Sequence, residues 1–74
     1  MSIAQQIYST RFSYGHAPRS EEFKAGVLYI LRWKAGELSE QQRPYALGTA
    51  QYDAWSAGCT EGHTLWAEHR ESAQ

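Results

Sequence analysis

Cys59 and His63 stand four residues apart, a separation that places a thiol and an imidazole one turn apart on the same face of a helix. Two such groups are the beginning of a zinc site or of an activated thiol nucleophile. Neither chemistry is completed elsewhere. Structural zinc takes four ligands, and the other histidines, His16 and His69, stand at no recognised ligand spacing. A thiol–imidazole pair needs an orienting group within a pocket, and a small helical domain offers little concavity. Gly58 and Gly62 fall inside a helical segment, so they do not form a phosphate-cradling loop between a strand and a helix. These residues read as those of a non-enzyme without metal or cofactor. Cys59 then serves as a small buried apolar side chain on the stripe that it shares with Trp55 and Trp66.

The elements that carry these residues are helical. Ser20 followed by Glu21 and Glu22 is a helix entry with acids in the first turn, where the helix dipole favours them. Phe23, Val27, Ile30 and Leu31 then recur at helical spacing, with Tyr29 and Trp33 as an aromatic ridge beside them. Gly36 is the stop, so the first long helix spans 20–36. The connection, 37–49, is polar and ends on Pro44, which cannot continue a helix, and Thr49, which offers an oxygen to the free amides of a helix starting at Ala50. The second long helix spans 50–69. Within it Ala54, Gly58 and Gly62 form a line of small side chains. A glycine in a helix costs about 1 kcal/mol relative to alanine, so two of them imply a close-packed neighbour. That neighbour is either the first helix at Ala25 and Gly26 or the same helix of a second subunit.

Residues 1–19 form an N-terminal arm with two readings. Ser2 can cap a short helix with Ile3 and Ile7 on one face, whereas Tyr8, Thr10, Phe12 and Tyr14 alternate as in a strand. The expected architecture is all-α: one domain over 1–74, two long helices packed antiparallel across a short connection, and an N-terminal arm or short extra element.

A chain of 74 residues buries only about 60% of the surface that its unfolded form exposes. With a single cysteine there is no internal disulfide, so self-association or a partner is the natural source of added stability. Three Trp and five Tyr supply the aromatic area that interfaces use. Trp33, off the main stripe, is the candidate interface residue of a homodimer or a partner complex. The formal charge is −1, from seven basic and eight acidic residues, and the basic ones are dispersed. No stretch approaches the ~20 apolar residues that a membrane span needs. The N-terminus has no leader pattern, and a lone thiol suits a reducing compartment, so the expected location is cytoplasmic.

Gly26, then Pro44-Tyr45, then Trp55-Ser56-Ala57-Gly58 and Glu61 occur in an order and spacing that resembles the ribosome modulation factor family, over Glu22 to Trp66. The resemblance implies a small bacterial protein that pairs ribosomes into inactive dimers in non-growing cells, with rRNA or a ribosomal surface as its partner. It brings forward Arg43, Tyr45 and Lys34 as an RNA-facing cluster. In that role Tyr45 stacks on an unpaired base, whereas its purely structural role would be to pack back over the helix joint. The near-neutral charge departs from what a phosphate-gripping protein needs. The alternative is accordingly a phage- or mobile-element-encoded inhibitor that uses exposed aromatics against a bacterial protein target.

Overall fold

The computed structural model describes residues 2–12, 19–38 and 44–72. Among them there are three helices and no strand: α1 (Ile3–Phe12), α2 (Glu21–Lys34) and α3 (Ala50–Ser72). The arm is therefore helical over most of its described length. The Gln5 amide donates to Ser2 Oγ at 3.0 Å, which caps α1 in the way that the helical reading of this segment requires. The competing alternation of Tyr8, Thr10 and Phe12 loses because a lone strand at this position has nothing to pair with among the helices. α3 runs three residues beyond the expected end at His69, to Ser72.

The ends of α2 and the start of α3 follow local chemistry. Ser20 Oγ accepts from the Phe23 amide at 3.1 Å. At the other end Gly36 takes φ 80, with its amide bonded to the Trp33 carbonyl at 3.0 Å and the Glu37 amide to that of Arg32 at 2.8 Å. This pair of bonds satisfies two carbonyls that the last turn leaves free, and it needs a residue at ease in the left-handed region. Gly48, at φ 82, makes the turn before α3. Thr49 Oγ1 then accepts from the Tyr52 amide at 3.1 Å and donates to the Ala46 carbonyl at 2.7 Å.

α2 and α3 meet through glycines. A Cβ built on Gly58 would collide with the Phe23 carbonyl oxygen, and one on Gly26 with the Trp55 carbonyl oxygen, with the Cys59 nitrogen at 2.9 Å. At Gly62 it would stand 2.8 Å from Ile30 Cβ and 3.0 Å from the Val27 oxygen. The line of small residues thus faces α2 of the same chain. Gly26 lies in the joint, whereas its neighbour Ala25 is exposed. Around the joint Val27, Ile30, Leu31 and Trp55 are buried, and Tyr29 lies against Trp55 with ring centroids 5.4 Å apart.

The direction of α3 differs from expectation. Phe23 meets Gly58, and four residues further along both helices Val27 meets Gly62, so the contacts ascend together and the two helices run in the same sense. The antiparallel arrangement rested on a short connection. Residues 35–49 are not short in reach: at up to ~3.3 Å per residue they can carry the chain back along the 14 residues of α2, about 21 Å of helix. The close approach of glycine to backbone then decides which register is occupied.

α1 lies on the pair. Its Ala4, fully buried, joins Val27 and Leu31 in the central cluster, with Ile7, Tyr8, Phe12, Phe23, Leu65 and Trp66 packed around it. The Gly58→Ala variant tests the joint. On a free helix face the change stabilises by about 1 kcal/mol, but here the added methyl meets backbone that cannot rotate away. The expected outcome in thermal unfolding is a loss of about 3 kcal/mol, with Gly26→Ala behaving alike and Ser56→Ala close to wild type.

Candidate functional site

Of the RNA-facing cluster of Arg43, Tyr45 and Lys34, no two members are brought into contact among the described residues. Trp33 and Lys34 are the last two residues of α2; Lys34 is exposed, and its Nζ sits 5.8 Å from the centroid of the half-buried Trp33 ring. This is a cation poised over an aromatic face at a helix C-terminus, where a positive charge is also favoured by the dipole. Tyr45 is half-buried in the segment that leads into α3. Among the described residues no hydrogen bond, ion pair or ring contact links Tyr45 to Trp33 or Lys34. Arg43 lies outside the described residues. In the same segment before α3, Leu47 is a large exposed apolar side chain, 64% accessible.

The helix-packing residues are distributed over both faces of the joint. Gly26, Gly58, Gly62 and Trp55 are buried and Ala54 is half-buried. Trp66 packs on the central cluster with its ring 5.9 Å from that of His69.

A groove of about 480 Å³, not signalled by residue spacing, runs along the seam between α1 and α3. Ile3, Ile7 and Leu65 give it an apolar floor, and Gln6, Thr10, Arg11, Glu68, His69 and Ser72 complete its walls. Its volume falls in the range of small-ligand sites. Arg11 is held at one end, where its Nε donates to Glu61 Oε2 at 2.7 Å and its guanidinium lies 5.1 Å from the Phe12 centroid. The pairing of Ile3 with Ile7 signalled a helix face. Nothing in the spacing said that this face would lie against the far half of α3.

The Cys59–His63 pair is not drawn into a site. His63 is exposed, and among the described residues there is no group of three or more His, Cys, Asp or Glu side chains that could hold a metal. Burial against α2 pushes the Cys59 thiol up to about 11, so at neutral pH it stays protonated and is a poor nucleophile. Burial, with a smaller contribution from the Glu21 carboxylate, also raises the Tyr8 hydroxyl. Compared with protein-family models, curated proteins and solved structures, the chain matches none of them.

Both thiol and site geometry yield a reactivity test. From an ordinary value of 9.0 to about 11, the thiolate fraction at pH 8 falls about 100-fold, and alkylation of the folded chain should slow by about that factor relative to the unfolded chain. The sign for stability follows: the folded form holds its proton more tightly, so the contribution is intact below pH 9 and is lost as pH rises from 9 toward 11. Equal alkylation rates in the folded and unfolded states would contradict the half-buried placement of Cys59.

Proposed function

We propose that this chain is a non-catalytic docking protein, resembling ribosome modulation factor, that acts by seating on a ribosome or another RNA–protein surface in the cytoplasm. The observation that carries this reading is the convergence of the residues on which the resemblance rests. Gly26 and the Trp55-x-x-Gly58 motif are far apart in sequence, yet they meet at one joint, where Gly26 faces the Trp55 carbonyl and Gly58 that of Phe23. Residues with a shared architectural task at that spacing support a shared fold. The Trp33–Lys34 pair then supplies a stacking face and a cation on the surface of that fold.

A second reading is favoured by charge and by the groove. A net charge of −1 gives little counterion release on a phosphate lattice, and the seam between α1 and α3 has an apolar floor. These suit a protein-binding modulator, of the kind that phages and mobile elements encode, with aromatic anchors and self-association through Trp33 as further consequences.

Co-sedimentation with bacterial ribosomes across a salt series decides between them. The docking reading predicts binding that falls steeply with salt when RNA phosphates are contacted, by orders of magnitude over a fourfold rise. It also predicts that Lys34→Ala and Tyr45→Ala weaken binding without lowering the melting temperature. Binding that is insensitive to salt and survives nuclease treatment assigns the target to protein. No binding at low salt removes the ribosomal reading.

A further inference from the structure

We propose that α1 is a strap that opens as a unit, uncovering an apolar face of α2 and α3 while leaving those two helices joined. The two attachments in this small fold are of different kinds. α2 and α3 are locked by backbone meeting backbone at Gly26 and Gly58, with Ile30 and Val27 closing on Gly62. α1 contains no glycine and packs through Ala4, Ile7, Tyr8 and Phe12. It has ten residues, fewer than the ~12–15 at which an isolated helix begins to persist in water, so it stays helical only while docked.

What docks it is modest. Its one buried residue is Ala4, seated on Val27 and Leu31, and alanine brings little apolar area to such a contact. Ile7, Tyr8 and Phe12 are only half-buried. The Arg11–Glu61 bond at 2.7 Å is left 23% and 27% accessible on its two side chains, a setting in which ion pairs contribute little. Along the rest of the seam α1 fails to close on α3 and leaves the groove over Leu65. Opening costs the Ala4 seat, the half-buried packing of Ile7, Tyr8 and Phe12 and one bridged bond, whereas parting α2 from α3 costs the whole glycine joint. The face that opening exposes is a strip of Val27 and Leu31 from α2, on which Ala4 sits, with Leu65 of α3, which lines the groove beside α1, and Trp66 packed on the same cluster. The closed form hides this strip, and the open form presents it with α1 still tethered to α2 by the chain.

Native-state hydrogen exchange on the whole chain, followed amide by amide at low denaturant, tests this. The α1 amides from Ile7 to Phe12 should share one opening with a clear denaturant slope and exchange about 100-fold faster than those between Gly58 and Gly62. Arg11→Ala should speed the α1 set about threefold and leave the Gly58–Gly62 set unchanged. Equal rates in both sets, speeding together in Arg11→Ala, would show a single cooperative unit and overturn the proposal. So would α1 amides that open one by one without a denaturant slope, which is fraying from the end.

Discussion

The structure depends on the absence of three side chains. Where α2 crosses α3, Gly58 lets the Phe23 carbonyl, and Gly26 the Trp55 carbonyl, come to where a Cβ would otherwise stand. Cα–H groups facing carbonyl oxygens at this range give weak attraction at each contact, and the short separation also brings the flanking side chains into full dispersion contact. Two glycines inside α3 weaken that helix on its own account by about 1 kcal/mol each. The joint returns that loss only in one register, the one that keeps each glycine opposite a backbone carbonyl. A stepwise slip of either helix would put Trp55 or Cys59 where no room exists.

Much of this was legible in the sequence for physical reasons that can be named. A helical glycine with no turn to make has to be answered by a neighbour, and Gly58 and Gly62 on one face pointed to a close approach. The stop at Gly36 and the entries at Ser20 and Thr49 are local chemistry, set by residues within one turn, and they appear as bonds at those positions. The sense of α3 relative to α2 was not legible, because small-residue faces pack in either direction and only the reach of residues 35–49 separates the two cases. The α1–α3 groove was hidden for a similar reason. Ile3 and Ile7 declare a face but not its partner, and that partner, Leu65, is far along the chain.

The surface is harder to read than the joint. Two of its ion pairs, Lys24–Glu21 at 4.0 Å and Arg32–Glu37 at 3.6 Å, are local and partly exposed, and they set neither fold nor affinity to any large extent. What distinguishes the surface is aromatic: Trp33 under Lys34 and Phe23 under Arg19, 4.7 Å from its centroid. Cations spread over rings in this way are partly spent on their own chain. That arrangement leaves a near-neutral chain whose exposed cations lie over its own rings.

The central claim is that glycine-to-backbone contact fixes α2 and α3 in the same sense. Proton–proton contacts in solution measure it directly. The account predicts nuclear Overhauser contacts from the Gly58 Hα protons to Phe23 and from the Gly62 Hα protons to Ile30, both present in one spectrum. Contacts from Gly62 to Phe23, with Trp55 moved against the end of α2 at Lys34, would mean that the helices run in opposite senses and would contradict it.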